Sequence, residues 1–141
     1  MAVPKTIKRY TVQEYYALET DNSFKSEYYK GEIFAMAGGT KEHSMICGNV
    51  VGELRNRLKG GPCAQYESNL RLKIKATGLR TYPDASVYCG PMERDQDDPY
   101  TETFTNPAVV FDGRPAGARA GNRRRVRHGR QRRDLQRRGR S

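Results

Sequence analysis

Two aspartates stand where a carboxylate is hard to accommodate. Asp84 follows Pro83 at the head of the apolar run 85–89, and Asp112 ends the apolar run 107–111. Withdrawing a carboxylate from water is costly unless it is hydrogen-bonded, paired or bound to a cation. The proline fixes the direction in which the chain enters the run, and a strand there would hold the acid rigidly. Two carboxylates at the ends of adjacent strands suit a hard cation, because Mg2+ favours oxygen ligands and takes one or two carboxylates plus waters. A plainer reading stays open, in which Asp84 caps a turn and Asp112 starts a loop.

Other residues admit chemistry at lower specificity. His43 and Cys47 lie one helical turn apart and, with Cys63 and Cys89, would make a nitrogen–sulfur set of the kind that holds zinc. The long gaps and the lack of any paired-cysteine knuckle argue against that set. Met1-Ala2-Val3-Pro4-Lys5 opens no apolar signal core, so the three cysteines are expected as reduced, partly buried thiols in a cytoplasmic protein. His43 is either an ordinary first-turn helix residue or a neighbour of a cleft that contacts phosphate. Lys73 and Lys75 are expected on a solvated strand face.

The elements that must position these groups follow from two hydrophobic periods. Thr11-Val12-Gln13-Glu14 has the form of a capping box and predicts a short helix to about residue 19. Residues 27–36 read as strand, with Gly31 at a turn. His43, Ile46, Cys47, Val50, Val51, Leu54 and Leu58 form one apolar stripe of a helix that Gly60-Gly61-Pro62 stops. Leu70, Leu72 and Ile74 alternate with Arg71, Lys73 and Lys75, the period of a half-buried strand. A polar loop over 93–105 separates the short apolar strands 85–89 and 107–111. The order predicts an α/β fold with a mixed sheet flanked by helices.

Charge divides the chain sharply. Residues 1–112 hold 14 Lys and Arg against 15 Asp and Glu, so the net charge of +10 belongs to residues 113–141, with 12 arginines and the single acid Asp134. No apolar run approaches the roughly 18 residues of a membrane span. The first 112 residues are expected to form one domain, and the last 29 a structureless tail unable to bury enough apolar surface to offset its ordering entropy. Two origins for the tail stay open. Arg, Gly, Ala and Pro share GC-rich codons, so an out-of-frame reading of a GC-rich gene would give this bias. A genuine arginine-rich tail would bind nucleic acid through its phosphates and make the protein a non-catalytic binder.

One further pattern runs the length of the first 112 residues. Tyr10-Thr11-Val12-Gln13-Glu14-Tyr15, the string from Glu27 through Gly31-Glu32-Ile33 to Gly38-Gly39, His43, Ser68-Asn69-Leu70-Arg71-Leu72, Thr81-Tyr82-Pro83-Asp84-Ala85-Ser86-Val87 and Asn106-Pro107-Ala108-Val109-Val110 occur in order. Together they resemble the Uma-type family, assigned as restriction endonucleases of the PD-(D/E)xK nuclease fold. The resemblance implies a DNA endonuclease using Mg2+ or Mn2+, with Glu27, Asp84 and Asp112 as metal-holding catalytic acids, and an assembly that is often a homodimer. The metal would lower the pKa of a bound water and offset charge building on the scissile phosphate. The sequence departs from the pattern in three places. Asp112 stands where a glutamate is usual, Asn69 stands where an acid is frequent, and no lysine follows Lys75 to orient the attacking water. The resemblance and the composition both break near residue 112, so the core is expected to be incomplete at its C-terminal end and the activity weak or lost.

Overall fold

A computed structural model describes residues 8–21, 24–36, 38–100, 102–113 and 124–125. Helix α1 (Val12–Asp21) opens on the expected capping box, in which the Thr11 hydroxyl accepts from the Glu14 amide at 3.1 Å and Glu14 accepts from the Thr11 amide at 3.1 Å. Strands β1 (Ser26–Tyr29) and β2 (Glu32–Ala35) form an antiparallel hairpin. Its two-residue loop takes positive φ at both Lys30 (49°) and Gly31 (80°), the left-handed turn whose twist matches that of paired strands. Helix α2 (Lys41–Leu58) ends before the Gly60-Gly61-Pro62 turn, as its stripe predicts.

The remaining strands are β3 (Cys63–Tyr66), β4 (Arg71–Lys73), β5 (Arg80–Thr81), β6 (Ala85–Cys89), β7 (Thr103–Phe104), β8 (Val109–Phe111) and β9 (Arg124–Arg125). They build a six-stranded sheet in the order β7-β4-β5-β1-β2-β9 and a three-stranded sheet in the order β3-β6-β8. Every described pairing is antiparallel except that of β4 with β7. The mixed α+β class is as expected. Helix α1 packs on β1, and α2 packs on β3 and β6. No helix among the described residues is long and apolar enough to cross a membrane. The tail lies outside the described residues apart from Gly113 and from Arg124 and Arg125, which pair with Ala35 and Phe34 at the edge of β2.

Tyrosine, rather than aliphatic residues, fills the core beneath α1. Tyr10, Tyr15, Tyr16, Tyr28 and Ile33 are buried together, with Val12 and Leu18 against them. Phenols need partners when buried. Tyr15 donates to the Ser26 carbonyl and Tyr28 to the Tyr10 carbonyl, both at 2.7 Å. The tyrosines also face two buried guanidiniums. Arg71 lies 5.2 to 5.6 Å from the rings of Tyr15, Tyr16 and Tyr82, and Arg80 lies over Tyr16 and Tyr28.

Those arginines correct the sequence reading. Arg71 was expected on a polar face, yet it is 4% exposed because β4 lies between β7 and β5 and is covered by α1. Its guanidinium pairs with Glu19 at 3.4 Å and Asp98 at 3.3 Å and donates to Tyr82 at 2.6 Å. Arg80 pairs with Asp95 at 3.1 Å, which also accepts from Tyr16 at 2.5 Å. Lys73, expected to be solvated, reaches the same Asp95 at 3.4 Å, while Lys75 pairs with Glu93 at 2.9 Å on the surface. The expected polar loop over 93–105 therefore carries a buried acid and strand β7. Burial would raise Asp95, but hydrogen bonds from Tyr16 and the Asp97 amide, with Arg80 and Lys73, hold it below the usual carboxylate range.

Two further expectations fail for local reasons. Cys63 and Cys89 face each other across β3 and β6 and are joined by a disulfide, so only Cys47 is a free thiol. Ile46, placed on the buried stripe of α2, is 51% exposed, because the helix has only the small sheet beneath it and none of its residues is fully buried.

Three outcomes test this core. Arg71→Met should cost about 3–5 kcal/mol in urea unfolding, since it strands Glu19 and Asp98 in the interior; a loss under about 1 kcal/mol would show that the charge is not structural. Burial, opposed by Arg71 and reinforced by Glu19, pushes Tyr82 up to about 12, and burial with Tyr66 beside it does the same to Tyr88. A phenol whose native pKa exceeds its unfolded value near 10 contributes fully below about pH 10 and loses that contribution as pH rises towards 12. Alkaline titration should therefore show the buried tyrosines ionising together with unfolding, not before it. Protein prepared without reductant should react with iodoacetamide at Cys47 alone, and at all three cysteines after reduction and unfolding.

Candidate functional site

The first turn of α2 is fixed by Thr40, whose hydroxyl accepts from the His43 amide at 3.1 Å. His43 and Cys47 then share one face of the helix, four residues apart. The connection from β5 to β6 brings Asp84 against them. His43 Nε2 lies 3.2 Å from Asp84 Oδ1 and 3.4 Å from Cys47 Sγ. The second oxygen, Asp84 Oδ2, accepts the Gly113 amide at 2.7 Å, so the chain leaving β8 closes over the acid.

Glycine makes room for the imidazole on two sides. A Cβ on Gly39 would come 2.7 Å from His43 Cδ2, closer than real Cβ contacts allow. A Cβ on Gly113 would come 3.1 Å from His43 Cε1 and 3.5 Å from Asp84 Oδ2. The ring is held between two backbone segments while its side chain stays 29% exposed, and that of Asp84 stays 18% exposed. Solvent and small ions can reach both.

The local field is negative. Burial first, and then the carboxylates of Asp84 and Asp112, push the Cys47 thiol up. Asp112 thus acts on the same thiol as Asp84. An open groove of about 320 Å3 adjoins the site, with Asp112 and Pro83 in its lining and Lys73 and Lys75 on its wall. The groove carries one acid, Asp112, and two lysines that are paired with Asp95 and Glu93.

The residues singled out in the sequence are distributed unequally. Asp84 and His43 meet directly, and Asp112 lies within electrostatic reach of their neighbour Cys47. Glu27 is in β1, 2% exposed, and accepts the Thr81 hydroxyl at 2.6 Å. Asn69 is turned onto Glu67, to which it donates from its amide and its side chain. Among the described residues, the group able to converge on an ion is His43, Cys47 and Asp84, without Glu27 and without Asp112. The helical spacing of His43 and Cys47 was visible in the sequence, but it was weighed with Cys63 and Cys89, which are tied to each other. The Gly113 amide gave no sequence signal, being backbone.

Known proteins resemble this chain over the same region. Residues 12–111 match the model of Uma2, whose description reads "Putative restriction endonuclease". An uncharacterized Synechocystis protein, slr1290, is 37% identical over 100 residues, covering 71% of this chain and 50% of its own. A second Synechocystis protein, sll1609, is 29% identical over 112 residues, covering 79% and 62%. The chain thus spans between half and two thirds of the length of these relatives. A solved structure from Anabaena variabilis, described as a "putative nuclease belonging to DUF820", superimposes with a TM-score of 0.50 at 21% identity, covering 67% of this chain and 51% of that one. At that identity the likeness is one of fold. The family model spans residues 12–111, most of the chain, and the chain belongs to the Uma2 family.

Proposed function

We propose that residues 1–112 form a metal-dependent DNA endonuclease domain that hydrolyses phosphodiester bonds, with residues 113–141 as a basic segment tied to it through Gly113 and β9. One observation supports this reading above the others. Asp84 is fixed at the head of β6 by the Gly113 amide, and the chain that supplies this amide also brings Asp112 beside the site. Carboxylates fit a hard cation in kind, and Asp112, which lies outside the converging group but acts on Cys47, would turn towards Asp84 to share the ion. Asp84 and Asp112 would hold Mg2+ or Mn2+. Glu27, oriented by Thr81, is the third acid of the set that the family implies. Bound there, the ion would lower the pKa of a water and offset charge on the phosphate.

The chain's own residues would do the rest. Lys75, exposed on the groove wall, would exchange its surface pair with Glu93 for the phosphate backbone, while Lys73 stays on Asp95. His43, partly exposed beside Asp84, would contact a phosphate oxygen. Asp84 would keep its orientation through cleavage because the Gly113 amide and the imidazole fix both its oxygens. No lysine follows Lys75 to orient the water, so turnover would be weak. The domain would act in the cytoplasm, where DNA is available, and as a homodimer.

A second reading draws on the tail, in which 12 arginines would bind nucleic acid without cutting it. Supercoiled plasmid incubated with Mn2+ separates the two. Nicking that disappears in Asp84→Ala, with DNA binding retained, is the expected result. Binding that vanishes on removal of residues 113–141, with no nicking at any metal concentration, would replace the nuclease reading with the binder.

A further inference from the structure

We propose that His43, Cys47 and Asp84 form a site for a borderline-soft divalent cation of the Zn2+ type, through one imidazole nitrogen, one thiolate and one carboxylate oxygen. This site shares Asp84 with the carboxylate pair above but differs from it in donor chemistry. It stands whether or not the chain cuts DNA.

The first argument is proton arithmetic. One atom, His43 Nε2, faces both Asp84 Oδ1 at 3.2 Å and Cys47 Sγ at 3.4 Å. A neutral imidazole nitrogen carries either a proton or a lone pair. With a proton it donates to Asp84 and leaves the thiol sulfur only as a weak acceptor of the same proton. With a lone pair it accepts from the thiol and faces a carboxylate oxygen across two lone pairs. A cation at the centre of the three atoms satisfies all of them at once, with the imidazole proton on Nδ1.

The second argument is metric. Zinc takes nitrogen at about 2.0–2.1 Å, thiolate at about 2.3 Å and carboxylate oxygen at about 2.0–2.2 Å, so a tetrahedron requires roughly 3.6 Å between nitrogen and sulfur and roughly 3.3 Å between nitrogen and oxygen. The observed separations are 3.4 and 3.2 Å, and all three donor atoms lie within 4.8 Å of one another. Two edges of the tetrahedral face are therefore already in place, and the third, within 4.8 Å, is adjustable through the Cys47 side chain while Asp84 keeps its hold on the Gly113 amide.

The third argument is construction. Gly39 and Gly113 confine the imidazole ring, and the Gly113 amide holds the carboxylate oxygen that does not face the histidine. Outer-shell contacts of this kind orient metal ligands. Three protein ligands leave the fourth tetrahedral position open, and the charge of Asp112, which acts on Cys47, adds to the attraction for a cation. On binding, the Cys47 proton passes to solvent and the thiolate becomes a ligand. Mg2+ has little affinity for thiolate, so the donor set selects a transition metal.

Cobalt is the probe, because Co2+ adopts the geometry of zinc and absorbs visibly. Co2+ added to the full chain with its disulfide intact should give one bound ion per chain, a thiolate-to-cobalt charge-transfer band in the near ultraviolet and the intense visible bands of a tetrahedral centre. Zn2+ should displace it. Cys47→Ser should abolish the charge-transfer band, and His43→Ala should weaken binding by more than about tenfold. Protection of Cys47 from alkylation by Zn2+ in the unaltered chain provides a readout that needs no variant. Cobalt bound without the thiolate band, a band that survives Cys47→Ser, or alkylation indifferent to Zn2+ would each overturn the assignment. Loss of Mn2+-dependent nicking has no bearing on these readouts, so the two proposals fail separately.

Discussion

Two guanidinium groups withdrawn from water set the terms for the rest of this structure. Arg71 and Arg80, at 4% and 3% exposure, sit on neighbouring strands of the larger sheet. A buried cation is tolerable only when every direction around it offers charge, hydrogen bonds or a π face. Glu19 from α1, Asp98 and Asp95 from the segment after β6, and the rings of Tyr15, Tyr16, Tyr28 and Tyr82 supply those directions. Helix, sheet and the 93–105 segment are thus locked to one another by groups that cannot separate without leaving a charge stranded. The tyrosine-rich composition of the core follows, since phenols can pack as hydrophobes and still satisfy ions.

The candidate site lies in a less densely buried part of the fold. Helix α2 has no fully buried residue and packs on a three-stranded sheet with one disulfide across it. What gives the site definition is a set of close backbone approaches: Gly39 and Gly113 against the imidazole, and the Gly113 amide on Asp84. Such contacts hold side chains in place without much apolar burial, and they leave the ligating atoms accessible. A rigid ionic core beside an open, negatively charged pocket is a division of labour suited to binding a cation.

Much of the frame was legible in the sequence because it depends on local periods. The capping box at Thr11 and Glu14, the Gly31 turn, the α2 stripe and the run 85–89 each announce themselves within a few residues. Strands β5 and β7 do not, because two residues have no period and exist only through their partners. Arg71 was legible only as the polar half of an alternation; that its face of β4 is covered depends on Tyr15, Tyr16 and Glu19 of α1 and on Asp98, all remote along the chain. Asp84 stood out through Pro83 and the apolar run behind it. Its tie to His43 and Cys47 could not be seen, because 41 residues separate the acid from the histidine.

The sequence by itself determined the helices, the hairpin, the charge division at residue 112 and the family, all of which rest on neighbouring residues or on their order along the chain. The tertiary structure decided which charges are buried, which cysteines are joined, and that His43 shares one nitrogen between a carboxylate and a thiol. Those outcomes are matters of distance between remote segments, and a distance of 3 Å between atoms is fixed by how strands pair and helices pack. Spacing along the chain can nominate the groups; only the fold sets which of them meet.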